Sequence, residues 1–188
     1  MSSKKQPKFT TKRFLLRPFE LADARDVQRF AGEWIIADTT LNIPHPYGEG
    51  LAEEWIKSQA RRFEDGTLAT FAVTETDPEQ LVGAVGLSIN PEHAVGELGY
   101  WIGLPFWGRG YATEAVQALV NYGFTELRLN RVQARHLVRN PASGRVMRKI
   151  GMSYEGTLRK SILKWDVYED LAMYSILVQE WRAEKAGA

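Results

Sequence analysis

The chain contains no cysteine among its 188 residues. That absence excludes a disulfide framework, a thiolate nucleophile, a CxxC redox pair and cysteine-ligated zinc or iron–sulfur centres. Long apolar runs are missing too. The longest, Leu98 to Gly108, is interrupted by Pro105 and falls short of the roughly 18 residues that span a bilayer. The segment Met1-Ser2-Ser3-Lys4-Lys5 lacks the apolar stretch of a secretory leader, so a cytoplasmic location without membrane contact is expected. A strong charge of one sign is absent: 24 Lys+Arg against 23 Asp+Glu leave a formal net charge of +1. This argues against a uniformly basic surface, and no nucleic-acid partner is expected. The histidines His45, His93 and His136 are isolated, with no ligand spacing, and no metal is expected.

What remains is an ordinary globular chain. Its length of 188 residues matches about one domain on a prior of about 150 residues each and suffices to bury a core. One domain over residues 1–188 is expected, with loose ends at 1–8 and 182–188. Lys12–Pro18 reads as a strand around Phe14-Leu15-Leu16. Asp23 is a plausible N-cap for a short helix burying Ala24, Val27, Phe30 and Ala31. Residues 39–50 read as a loop, and Leu51–Glu64 as a helix stopped by Asp65-Gly66. Strand-like runs follow at 68–74, 81–89 and 94–103. Tyr111–Phe124 carries helical periodicity, and Arg131–Val138 alternates like a strand. Asn140–Gly151 is the best-marked helix: Asn140 suits the N-cap, Pro141 the first helical position and Gly151 the position after the end. Strands at 154–162 and 170–178 close the chain. The order β-α-α-β-β-β-α-β-α-β-β gives a mixed α/β (α+β) domain with a largely antiparallel first half.

The densest chemical signal is Glu97-Leu98-Gly99-Tyr100-Trp101-Ile102, then Trp107-Gly108-Arg109-Gly110-Tyr111-Ala112-Thr113-Glu114-Ala115. A strand enters a glycine-containing loop that opens a helix. The first N–H groups of a helix lack intrahelical acceptors and the helix dipole favours anions there, so this is an anion cradle, and Gly108 and Gly110 let the backbone approach a phosphate closely. A P-loop is excluded because no Gly-Lys-Ser/Thr triplet occurs, and a dinucleotide fingerprint because Thr113 replaces its third glycine.

Trp107-Gly108-Arg109-Gly110-Tyr111-Ala112 resembles the Q/R-x-x-G-x-G/A signature of the GNAT superfamily of N-acetyltransferases, with Trp107 where Gln or Arg is usual. The longer string is similar to the RimJ/RimL branch, known for acetylating ribosomal-protein N-termini. Thr10–Phe19, Pro44-His45-Pro46-Tyr47 with Trp55-Ile56, Asn140–Ser143 with Val146–Met152, and Asp170 with Met173–Leu177 resemble further parts of that branch in order.

The resemblance implies a mostly antiparallel twisted sheet, flanked by helices, with one splayed parallel strand pair holding acetyl-CoA. The pair would be the strand ending near Ile102 and Arg131–Val138. Backbone groups of Tyr100, Trp101 and Ile102 would bind the pantetheine arm, with an N–H near Ile102 polarising the thioester carbonyl. The backbone of Gly108, Arg109, Gly110, Tyr111, Ala112 and Thr113 would hold the pyrophosphate, and Asn140 would also contact the cofactor. The implied reaction is direct acetyl transfer to a primary amine, on a protein N-terminus, a small molecule or an amino acid. The alternative is a regulatory module that binds acetyl-CoA with little turnover. Glu97 is the candidate base, acting through water, with Asp166, Glu169 and Asp170 as rivals. Many relatives protonate the leaving thiolate from a tyrosine where this chain has Met147; Ser143 matches a serine that the ribosomal branch uses instead. The Arg109 side chain is read either as a phosphate contact or as solvated. Seven cations and no acid lie between Arg128 and Lys149; they form either a solvated face or local help for the CoA phosphates. Tyr47, Trp55 and Trp165 line the acceptor pocket or belong to the core. A homodimer is an expectation from the family.

Overall fold

The computed structural model describes residues 5–187. The chain first forms β1 (Phe9–Thr10) and β2 (Phe14–Arg17), then three helices, α1 (Ala24–Ala31), α2 (Trp34–Thr39) and α3 (Leu51–Glu64). Strands β3 (Leu68–Thr76), β4 (Glu79–Asn90) and β5 (Val95–Ile102) follow, and helix α4 (Tyr111–Thr125) leads to β6 (Arg131–Leu137). Helix α5 (Pro141–Lys149), the hairpin β7 (Ser153–Lys164) and β8 (Val167–Leu177), and helix α6 (Val178–Ala186) complete the fold. The eight strands form one sheet in the order β1-β2-β3-β4-β5-β6-β8-β7. Neighbours pair antiparallel except β5 and β6, which run parallel through the α4 crossover.

Side-chain alternation sorts the helices onto two faces. Leu87 opposes Leu98, and Gly96 opposes Val132, so these residues share a face. A Cβ on Gly123 of α4 would lie 3.0 Å from Leu87 and 3.7 Å from Val132. A Cβ on Gly144 of α5 would lie 2.7 Å from His136 Nε2, two positions along β6 from Ala134. Helices α4 and α5 therefore cover this face. The opposite face is covered by α1 and α3: Gly103, just past β5, packs on Phe30 of α1, and α3 lies along β3. Phe14, Leu16, Phe30, Phe71, Leu87, Leu119 and Ile176 are fully buried between the layers, each worth about 1.5–3 kcal/mol of apolar burial.

Helix α5 ends as its sequence implies. Asn140 accepts from the Ser143 N–H, and Gly151 takes a left-handed conformation (φ 83°). The Met152 N–H returns to the Met147 carbonyl and that of Gly151 to Arg148, closing a Schellman motif. Asp23 stands at the N-cap position of α1 as expected, but its side chain does not cap that helix. It accepts from the Glu20 N–H at 2.8 Å, across the single 3-10 turn Leu21–Asp23, and takes two hydrogen bonds from Arg17 at 2.7 and 2.8 Å, with both residues buried. The pairing holds the Arg17 guanidinium above its ordinary pKa. Of the expected loose ends, residues 1–4 and Ala188 lie outside the described residues. Arg182–Ala186 continue helix α6, anchored where Trp181 donates to Asn121 and stacks on Phe124. No helix of the described residues is long and apolar enough to cross a membrane.

Candidate active site

The parallel pairing of β5 with β6 runs only from Val95–Arg131 to Leu98–Ala134. Beyond it the strands part, while β5 continues to Ile102 on β4. In an antiparallel ladder a residue turns its N–H and C=O to the same neighbour, and the next residue turns to the other side. The Gly103 N–H donates to Val82 on β4, and a Cβ on Gly83 would lie 2.3 Å from the Trp101 carbonyl. Trp101 and Gly103 therefore spend their backbones on β4. Tyr100 and Ile102 turn theirs into the gap that β6 has left. The Ile102 carbonyl accepts from the Trp107 indole at 2.6 Å, so the Ile102 N–H and both backbone groups of Tyr100 have no strand partner. The expected contribution of the Trp101 backbone is thus not available to a ligand in the gap.

A cleft of about 810 Å³ passes through this gap from one face of the sheet to the other. On the α4–α5 face it is lined by Tyr100, Gly108, Gly110, Thr113, Asn140 and Ser143. Gly108 and Gly110 both have φ of 75°, a conformation that costs a residue with a Cβ about 1–2 kcal/mol. Gly110 is the N-cap of α4, and no side chain caps its first turn, leaving those N–H groups for an anion.

The start of the chain fixes this loop. Arg13, just before β2, donates from its Nε to Glu114 at 2.6 Å and from a terminal nitrogen to the Arg109 carbonyl at 2.9 Å. The Thr11 hydroxyl and Arg13 N–H also donate to Glu114, at 2.7 and 2.9 Å. Burial alone would raise the Glu114 pKa; these bonds overcome it and hold the carboxylate below its ordinary value. The Tyr111 hydroxyl donates to Glu75, tying the first residue of α4 to β3. Among the described residues the Arg109 side chain makes no hydrogen bond; it lies 6.0 Å from the ring centres of Phe106 and Tyr111.

On α5, Ser143 Oγ accepts from Asn140 Nδ2 at 3.3 Å, so its own hydrogen is free to be donated. The Tyr100 phenol reaches the Ser143 carbonyl at 3.4 Å, and burial pushes its pKa up to about 12. Met147 is buried beside them in the cleft wall. The basic stretch resolves into two groups. Arg131 pairs with Glu155, Arg135 with Glu97, and Arg139 with Asp38 and Glu169. Arg148 donates to Tyr174. Arg145 and Lys149 line the cleft with no ion pair among the described residues.

On the α1–α3 face the cleft has a floor of two glycines, Gly86 and Gly99, flanked by Thr70. Gly86 opposes Gly99, and Thr70 opposes Gly86. A Cβ on Gly99 would meet nothing within 4 Å. Glu97 stands beside this floor with one oxygen 2.9 Å from Arg135 Nε and the other 3.3 Å from Gln133 Nε2. Tyr47, Trp55, Ile43 and Trp101 wall it. Trp165 lies elsewhere, stacked on Trp34 and donating to Asp38. Among the described residues no group of His, Asp or Glu side chains is arranged to hold a metal ion. The chamber floor was missed in sequence, because Gly99 reveals its face only once the β5 register is known. Residues 39–50, expected as a loop, do form the lid over this chamber, with α2 just before them. Arg139 fastens α2 by bonding Asp38, and Asn140 Nδ2 donates to the Thr39 carbonyl.

Comparison with known proteins matches the acetyltransferase (GNAT) domain family to residues 13–153. The chain is 34% identical over 174 residues to the Bacillus subtilis uncharacterized N-acetyltransferase YnaD, covering 92% of this chain and 98% of that one. It is 30% identical to the Bacillus subtilis putative ribosomal N-acetyltransferase YdaF over 178 residues, covering 88% and 93%. The fold is shared with the Vibrio cholerae spermidine N-acetyltransferase solved in complex with CoA and spermine. There the TM-score is 0.79 and the identity 23%, across 92% of this chain and 99% of that one.

Proposed function

Because the chain belongs to the GNAT family of acetyltransferases, we propose that it moves the acetyl group of acetyl-CoA directly to a primary amine, the two reactants entering from opposite faces of the sheet. The observation that carries this reading is the cleft through the β5–β6 splay, with a phosphate cradle on one side and a bare glycine floor on the other. Acetyl-CoA supplies an activated acetyl thioester. The residues present fit it: free backbone groups on β5, left-handed glycines at the head of α4, and two unpaired cations on α5.

In this reading, the backbone of Tyr100 and Ile102 binds the pantetheine arm. The Ile102 N–H faces the oxygen that gains negative charge during transfer, a contribution of about 3 kcal/mol for one such donor. The backbone from Gly108 through Arg109, Gly110, Tyr111 and Ala112 to Thr113 holds the pyrophosphate. Arg145 and Lys149 neutralise the remaining phosphate charge, and Asn140 sets the start of α5. Glu97 receives the amine proton through water. An α-amine, with a pKa near 7.7–8.0, is mostly protonated at neutral pH, so a base that takes this proton assists the attack. Ser143 offers its free hydrogen to the leaving thiolate, whose pKa near 8.5 makes that assistance small. Two named relatives support an amine acceptor, one called a ribosomal N-acetyltransferase and one a spermidine N-acetyltransferase.

The test is Glu97→Gln. It should lower kcat by about 10²–10⁴ and leave acetyl-CoA affinity within twofold. Unchanged kcat across pH would remove Glu97 from the mechanism.

A further inference from the structure

The acceptor chamber has the wrong charge for a polyamine. Glu97 is the only carboxylate among the described residues lining the cleft, against Arg62, Arg135, Arg145 and Lys149. Arg145 and Lys149 sit on α5, on the cofactor face. Arg62 and Arg135 belong to the other face. Arg135 is two positions from Gln133, which opposes Glu97, and its Nε lies 2.9 Å from Glu97; among the described residues no hydrogen bond is made by its terminal nitrogens. Arg62 lies in the last turn of α3, seven positions after Trp55, so the two share the stripe of α3 that faces the cleft. The Thr67 N–H donates to the Arg62 carbonyl, which seats Arg62 over the start of β3.

Leu68, Ser88 and Glu97 form one row across β3, β4 and β5. At about 4.8 Å per strand, Arg62 overhangs one end of a row roughly 10 Å long, with Glu97 and Arg135 at the other. No acidic side chain lies within ion-pair distance of Arg62 among the described residues. Glu53 of α3, with a buried unpartnered oxygen, is nine positions before Arg62 and on the other side of that helix, where its charge acts on Tyr47.

We infer that the acceptor is a small amine that carries an anionic group, a carboxylate or a phosphate, with its amine beside Glu97 and its anion held by Arg135 and Arg62. This rests on the acetyl-transfer reading above and narrows its substrate class. A polycation would meet two guanidinium groups and a carboxylate already bonded to one of them. A peptide N-terminus, whose first residue ends in an amide, would leave Arg62 without an anion and Arg135 with Glu97 alone. An α-amino acid presents both charges a few ångströms apart.

The experiment is thiol release from acetyl-CoA against three sets of acceptors. These are the L-amino acids with their carboxamides, O-phosphoethanolamine with ethanolamine, and spermidine. At least one anionic member should exceed its uncharged counterpart in kcat/KM by tenfold or more. Arg62→Ala should then raise KM for that acceptor about tenfold, with kcat and acetyl-CoA affinity nearly unchanged and the uncharged counterpart unaffected. Spermidine or the carboxamides as best acceptors would overturn the inference while leaving acetyl transfer intact. An equal loss toward charged and uncharged acceptors in Arg62→Ala would also overturn it. No thiol release with any acceptor, beside intact acetyl-CoA binding, would defeat both the inference and the transfer reading; loss of that binding as well would place the failure at the cofactor site.

Discussion

Gly99→Val should leave the fold and the cofactor site intact while abolishing transfer. The Gly99 Cβ position has no atom within 4 Å, so valine enters without a clash. Glycine inside a strand costs roughly 0.5–1 kcal/mol against alanine, and valine favours strands, so the melting temperature should hold or rise. The added side chain rises from the floor on the α1–α3 face, where the amine must approach the β5–β6 gap. A displacement of about 1 Å from productive geometry can cost about 10²-fold, or about 2.7 kcal/mol at 1.36 kcal/mol per tenfold. A fall in kcat/KM of at least about 100-fold is therefore expected. A thiol-reactive dye reads the released CoA directly, and with no cysteine in the chain the protein gives no background. Acetyl-CoA affinity by calorimetry should stay within twofold of wild type, because Gly99 faces away from α4 and α5. Wild-type kcat/KM in the valine variant would refute the chamber, and a folded variant that no longer binds acetyl-CoA would refute the division of the cleft into two faces.

Two further outcomes concern the fold and its response to pH. Arg17→Ala strands the buried Asp23 carboxylate and should lower stability by about 3–5 kcal/mol; denaturant melts showing under 1 kcal/mol would mean the pair is incidental. Tyr100, held by burial near 12 against an ordinary 10.0, keeps its proton after an unfolded-chain tyrosine has lost one. Its contribution to stability is therefore complete below pH 10 and lost as pH rises to about 12. The stability of wild type relative to Tyr100→Phe should fall by up to about 2–3 kcal/mol across that interval, and parallel curves would contradict the burial effect.

Helix α5 was legible because local signals agree: an asparagine cap, a proline in the first turn and a glycine just past the end. The glycine loop that opens α4 was legible for the same reason, since its glycines and the helix are contiguous. Asp23 stands where the sequence puts it, at the N-cap of α1, yet its carboxylate is taken by Arg17 and the Glu20 N–H rather than by the first turn of that helix. Helix α2 was hidden by its brevity, and α6 by its weak pattern; packing of Trp181, rather than amphipathic periodicity, defines that end. The Arg13–Glu114 clamp joins residues 101 positions apart and leaves no local trace. The acceptor chamber depends on which residues of β5 face α3, which only the strand register decides. Cations of the Arg128–Lys149 stretch looked alike in sequence, yet only their partners separate Arg145 and Lys149, left for a ligand, from Arg131 and Arg139, spent on acids.

The most direct measurement is a calorimetric titration of acetyl-CoA into the wild-type protein and into Gly110→Val. The wild type should bind one equivalent with micromolar affinity. The variant, forced to place a β-branched residue at a φ of 75° at the head of α4, should remain folded by circular dichroism and bind at least 100-fold more weakly. Absence of binding to the wild type at millimolar acetyl-CoA, or equal affinity in the two proteins, would contradict the assignment of this cleft to the cofactor.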